Sequence, residues 1–175
     1  DAASQYTIPP EFLKKATLNF RSGGNLSMEA AVQALIRIGY ERCEQVEGAG
    51  QFAVRGGILD FYMPDAPAPV RAEFWGDQVD TLNYFDPETQ RRTEYIEELT
   101  LTPSTEVLIQ DKNALALQIE RHAALLRGKA APLARQVLQN EADALKNGLT
   151  IASKDKFISL VYEKPATLFD YMGGE

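Results

Sequence analysis

The side chains most suited to chemistry in this sequence lie on one short stretch, where Arg71, Glu73 and Trp75 alternate with Val70, Ala72 and Phe74. In an extended chain successive side chains point to opposite faces, so the guanidinium, the carboxylate and the indole share one face. Val70, Ala72 and Phe74 would then turn into a core. A one-residue slip would invert the split, so it is firmly specified if one face is buried. By the same alternation Phe52 and Val54 point inward, while Ala53 and Arg55 point outward. Arg42 lies on the face opposite Cys43. A face bearing Arg42, Arg55, Arg71, Glu73 and Trp75 has the makings of a binding hot spot, where Trp and Arg each contribute ~2 kcal/mol or more once a partner buries them. Alternation alone serves equally well a solvated sheet face whose Trp75 is covered by the chain's own helices or tail.

Bond-making chemistry has little to work with. No nucleophile sits in a recognisable setting. The single His122 falls on the apolar stripe of its helix, where a packed, hydrogen-bonded histidine is expected. Cys43 falls in an expected strand and reads as a small buried hydrophobe. One cysteine supports neither a disulfide framework nor a multi-cysteine zinc site. No G-x-x-x-x-G-K-S/T loop is present. Gly48-Ala49-Gly50-Gln51-Phe52-Ala53 fits G-x-G-x-x-A, but that fingerprint works by opening a helix whose N-terminus holds a pyrophosphate. Here Gln51–Arg55 alternates like a strand, so the glycines are assigned to a hairpin loop.

The elements that would position these residues follow from periodicity. Asn25 or Ser27 caps a helix with Met28, Ala31, Val32, Leu35 and Ile38 on one side, closed by Gly39. From Tyr40 to Pro103 the period becomes two, with strands expected at Tyr40–Val46, Gln51–Arg55, Gly57–Tyr62, Val70–Trp75, Val79–Phe85 and Arg92–Thr102. Their short connections predict antiparallel pairing throughout, with the helix covering one face. Residues 1–24 begin with a strand-poor stretch, Tyr6–Glu11 with Pro9-Pro10, and end at Ser22-Gly23-Gly24. After Pro103, helices are expected over Asp111–Leu126 and from Pro132 to Gly148, the latter with Ala134, Val137, Leu138, Glu141 and Leu145 inward. Phe157–Tyr162 and Thr167–Tyr171 read as two short, at least half-buried pieces. The expected class is α+β: a small antiparallel sheet with a packed helix over residues 1–105 (core 25–103), then a helical segment over 106–175.

Composition narrows the function classes. With 175 residues, 45% hydrophobic and 25% charged, the chain is that of a soluble globular protein. No apolar run reaches the ~20 residues of a membrane span, and no signal-peptide pattern is present. These features point to a cytoplasmic protein without a membrane partner. The chain opens at Asp1 without a methionine and reads as excised from something longer. The net charge of −7 is carried by residues 1–105, which hold 9 basic and 16 acidic side chains. That argues against a general phosphate-binding surface. Between Ala16 and Asp111 every basic residue is Arg, the cation that protein interfaces favour for its flat, bidentate fork.

Three ordered segments resemble a known family. They are Tyr40-Glu41-Arg42, then Gln51-Phe52-Ala53-Val54-Arg55-Gly56-Gly57-Ile58-Leu59-Asp60-Phe61, then Val70-Arg71-Ala72-Glu73-Phe74-Trp75-Gly76-Asp77. Together they resemble the module shared by bacterial transcription-repair coupling factors and UvrB, a component of the bacterial repair excinuclease. Tyr84-Phe85-Asp86-Pro87-Glu88-Thr89-Gln90-Arg91-Arg92 resembles the coupling factors in particular, since UvrB is expected to carry Asp at the place of Gly57 and a different turn after the fifth strand. Ala166-Thr167-Leu168-Phe169-Asp170-Tyr171 also fits. The resemblance spans residues 10–172 and implies a non-catalytic module that binds the damage-recognition ATPase UvrA and brings it to lesions where RNA polymerase has stalled. It implies partner contacts at Arg42, Arg55, Arg71, Glu73, Phe74 and Trp75. Ala53 stands where UvrB carries Arg, which removes one salt bridge. Residues from about 106 onward resemble part of the neighbouring domain 1b. No cofactor is expected in this segment; ATP, RNA polymerase and DNA belong to other domains of the longer protein.

The docking expected from this resemblance is charge-complementary. The three arginines would meet carboxylates on UvrA, Glu73 would accept from a partner arginine, and Trp75 would fill an apolar hollow. Three other readings make different demands: a piece of the excinuclease component UvrB, a DNA-contacting piece of a helicase-like repair enzyme, or a structural spacer with Trp75 buried in its own chain.

Overall fold

The computed structural model describes residues 6–149, 151, 154–167 and 170–171. The chain divides into two compact units, residues 11–105 and residues 1–10 together with 106–175.

In the first unit, helix α1 (Pro10–Ala16) and strand β1 (Leu18–Arg21) precede helix α2 (Met28–Arg37). Ser27 caps α2, its hydroxyl accepting from the Ala30 N–H at 3.2 Å. Ala31, Ala34, Leu35 and Ile38 are buried, and Gly39 leaves the helix at φ +95, a left-handed conformation that suits glycine. Six strands then form one sheet in chain order: β2 (Glu41–Arg42), β3 (Gln51–Arg55), β4 (Ile58–Phe61), β5 (Val70–Trp75), β6 (Gln78–Phe85) and β7 (Arg92–Tyr95). The architecture is α+β, as expected.

The strands depart from expectation in three places. Tyr40–Val46 shrinks to the two residues of β2, which pair in parallel with β3 through Glu41↔Gln51 and Arg42↔Phe52. Residues 43–50 are too few for a helical crossover. They double back instead, with the Gln51 side-chain oxygen accepting from the N–H groups of Glu47 and Gly48 at 2.9 and 3.0 Å. The expected strand Arg92–Thr102 breaks into β7 and β8 (Glu98–Leu101), and β8 leaves the sheet to pair antiparallel with β1. No strand is expected where β1 lies; only Phe20 of its four residues is buried, too little alternation to register. Phe20 lies against Phe61, ring centroids 5.1 Å apart.

Register sorts the sheet. Phe52, Leu59, Phe61, Val70, Ala72 and Leu82 lie on the core face and are fully buried. Val54, on the same face, is only half-buried. The opposite face carries Ala53, Asp60, Arg71 and Asn83 in one cross-strand row, and Arg55, Ile58, Glu73 and Thr81 in the next.

In the second unit, α3 (Lys112–Leu125) and α4 (Ala131–Lys146) bury Leu115, Ala116, Ile119, Ala142 and Leu145 with Ile151 and Phe157. Asp111 caps α3 by accepting from the N–H groups of Asn113 and Ala114. Val137, expected inward, is exposed, because the buried side of α4 runs through Ala131, Ala142 and Leu145. A short turn (Asp155–Phe157) and α5 (Ile158–Val161) follow, and Phe157, Ile158 and Tyr162 are buried. Leu168 and Phe169 of the resembling tail lie outside the described residues.

Candidate functional site

The polar sheet face is built around Asp60, a carboxylate 1% exposed. Directly across the β4–β5 pair, Arg71 grips it with two hydrogen bonds, Nε to Oδ1 at 2.7 Å and Nη2 to Oδ2 at 2.8 Å. Arg55 adds Nη2 to Oδ2 at 2.7 Å. The hydrogen bonds to Asp60 raise the Arg71 pKa against the opposing effect of burial. The Arg71 guanidinium also lies over the Phe85 ring, 4.4 Å from its centroid. Arg71 is therefore buried, at 9% exposure, although alternation faces it away from the main core.

A turn covers it. Asp86 Oδ1 accepts from the N–H groups of Glu88 and Thr89 at 2.8 and 3.0 Å, and the Gln90 N–H donates to the Asp86 carbonyl at 2.8 Å. Gln90 then sits at φ +60, the one non-glycine residue with positive φ among those described. Its side-chain oxygen accepts from Arg71 Nη2 at 2.9 Å and Arg55 Nη2 at 3.1 Å, while its carbonyl accepts from Arg71 Nη1 at 3.1 Å. The backbone N–H groups of Thr89 and Glu88 hold the Asp86 carboxyl below its ordinary value of 3.8. A depressed carboxylate stabilises the fold fully above that ordinary value and loses the contribution as pH falls through the lowered one. Amide exchange at Gln90 is accordingly expected to speed up as pH drops below about 4, beyond the intrinsic pH dependence of exchange, and Asp86→Ala is expected to show it already at neutral pH.

The other expected residues take different positions. Trp75 is 83% exposed, the largest apolar side chain left open in the chain. Its neighbour Phe74, expected in the core, is only half-buried. The β5–β6 register shifts between Glu73 and Phe74 with the extra residue on β6, so Phe74 still faces the buried Val79 at the end of the strand. The Phe74 N–H donates to the Gly57 carbonyl at 2.8 Å, and a Cβ at Gly57 would stand 3.0 Å from the Phe74 carbonyl oxygen. That close approach holds the Trp75 end of β5 against the β3–β4 turn. Glu73 forms an ion pair with Arg92, and Thr81 Oγ1 lies 3.4 Å from its second oxygen. Arg42 is exposed and has no side-chain partner among the described residues. Its pairing with Phe52 places it at the sheet edge on the side of the core face, not beside Arg55 and Arg71 as alternation expected. Ala53, expected outward, is 1% exposed beneath the covered part of the polar face.

Asp60, Gln90 and Arg92 belong to this polar face, and sequence reasoning did not single them out. Asp60 carried a signal: a lone acid inside an otherwise apolar strand, opposite an arginine on the next one. His122 is exposed, because α3 buries Leu115, Ala116, Ile119 and Ala123 and leaves position 122 to the side. Cys43 lies just past β2 and is half-buried, its thiol lying 3.3 Å from the Phe52 carbonyl; burial is the main cause that raises its pKa. The glycines at 48 and 50 lead into strand β3, where a pyrophosphate cradle requires a helix. Among the described residues no group of three or more His, Cys, Asp or Glu could hold a metal ion. No described helix is long and apolar enough to cross a membrane.

Comparison with known proteins places this face in context. Residues 18–107 match the family described as the UvrB interaction domain. The transcription-repair-coupling factor of Bacillus subtilis (strain 168) is 31% identical over 178 residues, covering 97% of this chain and 15% of the relative. That of Haemophilus influenzae is 30% identical over 168 residues, covering 96% and 14%. That of Myxococcus xanthus is 28% identical over 172 residues, covering 98% and 14%. The chain thus spans 14–15% of the length of these relatives.

Proposed function

Because this chain belongs to the UvrB interaction domain family and aligns with segments of transcription-repair-coupling factors, we propose that it is a non-catalytic docking module that recruits UvrA to lesions where RNA polymerase has stalled. The observation that carries the reading is Trp75, an indole 83% exposed beside a network rich in arginine. Aromatic anchors flanked by arginine dominate protein hot spots.

The structure's ion pairs divide the labour. Trp75, with the half-buried Phe74, supplies the apolar anchor. Arg42 and the open part of Arg55 supply steering charge for acidic groups on UvrA, and Glu73 with its Arg92 partner forms a polar rim. Arg71 supports the face from below instead of touching the partner. ATP-driven movement, RNA polymerase and DNA contacts are assigned to other parts of the longer protein.

Titration of UvrA against the parent chain and Arg42→Glu tests this. Loss of an exposed steering charge is expected to weaken binding by about 1 kcal/mol at low salt, with a smaller loss at high salt. A parent chain that does not bind UvrA overturns the reading. A DNA-contacting role would instead give a gel shift of duplex or bubble DNA at low salt, against which the net charge of −7 weighs.

A further inference from the structure

We propose that Gln90 is a positioning residue of the docking face: it holds Arg55 so that the unengaged Nη1 end of that guanidinium is presented to a carboxylate of the bound protein. The inference rests on the docking reading above and assigns a role within the same site.

Charge balance is the first observation. One buried carboxylate, Asp60, serves two guanidiniums, so the cluster keeps one positive charge in excess. Hydrogen bonding shows where that excess emerges. Every guanidinium nitrogen of Arg71 is engaged, Nε and Nη2 by Asp60 and both Nη1 and Nη2 by Gln90. Arg55 uses Nη2 alone, toward Asp60 and Gln90, and its side chain is 46% exposed. Its Nε and Nη1 make no hydrogen bond with the described residues, which leaves Nη1 as a charged donor for a carboxylate outside the chain.

Gln90 is what keeps that donor in place. Its Oε1 bridges both arginines, and its Nε2 donates to the Pro87 carbonyl at 2.7 Å, which fixes the orientation of the amide. Its left-handed backbone is one that L side chains rarely adopt, and it persists only where the surroundings impose it. Here the Asp86 turn imposes it. Without Oε1, Arg55 would be tethered through Asp60 alone, and its long side chain would regain the rotamers that a bound carboxylate must then freeze out.

The test is a double-mutant cycle with UvrA as ligand and the whole chain as host. Gln90→Gly keeps the left-handed backbone accessible, and circular dichroism verifies that the variant folds. Binding of UvrA is expected to weaken about tenfold in Gln90→Gly, and by less than about twofold when the same change is made in an Arg55→Ala background. Gln90→Asn tolerates the same backbone but reaches less far, and is expected to behave like Gln90→Gly. Parent-like binding by Gln90→Gly overturns the proposal, as does a loss that persists undiminished in the Arg55→Ala background. If Trp75→Ala and Arg55→Ala weaken binding and Gln90→Gly does not, only the positioning role falls. If Trp75→Ala and Arg55→Ala both bind UvrA like the parent, the docking reading falls with it.

Discussion

Replacing Asp60 with alanine is expected to remove about 3–5 kcal/mol of folding stability, the cost of leaving a buried charge without its partner. Side chains in the Asp60–Arg71 pair are 2% and 10% exposed, and alanine would strip Arg71 of both hydrogen bonds from its Nε and Nη2 to the carboxylate. Arg55 would lose its ion pair as well, but it is nearly half exposed and water can take over, so it adds little. Removing both charges in Asp60→Ala with Arg71→Met is expected to recover part of the loss, because an apolar pair can replace a buried ion pair at small net cost. Urea unfolding followed by far-ultraviolet circular dichroism is the suitable measurement, since the one tryptophan is already open to solvent in the folded chain. A loss below about 1 kcal/mol, the level of an exposed pair, would show that Asp60 is not the buried keystone of this face.

The same network determines which substitutions can map the interface. Arg71→Glu would bring a second carboxylate onto Asp60 in a buried site and unsettle the sheet, so a loss of binding in that variant would not report a contact. Arg42→Glu and Trp75→Ala avoid this, because both side chains are exposed and neither is paired among the described residues.

Trp75→Ala is expected to separate binding from stability most cleanly. Affinity for UvrA should fall by about 2 kcal/mol or more, roughly thirtyfold, as for central aromatic anchors in other interfaces. Folding stability should stay within about 0.5 kcal/mol of the parent, since an 83% exposed side chain has little packing to lose. Isothermal titration for affinity and urea unfolding for stability check the two halves. An affinity unchanged by this substitution would overturn the assignment of the face. Quenching of the Trp75 emission by acrylamide, ready in the free chain, is expected to be suppressed once UvrA is bound.

Much of this site was legible before any coordinates. Period-two alternation assigned Val70 and Ala72 to the core and Trp75 to the opposite face, because the pleat ties sequence parity to sheet face. The cap at Ser27 and the glycine after α2 marked that helix, since both are local hydrogen-bond and dihedral requirements. Ordered segments around Arg55, Arg71 and Trp75 carried the resemblance that the match over residues 18–107 bears out.

What the sequence by itself determined, then, was which side chains share a face and which family that pattern belongs to, because periodicity and caps are properties of neighbouring residues. Tertiary structure alone decided which part of the face is open. Arg71 and Trp75 have the same parity, yet one is buried and the other bare. The difference comes from Gln90, 19 residues along the chain, which the Asp86 turn brings onto Arg71. Parity names a face, but whether it is covered depends on a contact distant in sequence, which no local period encodes.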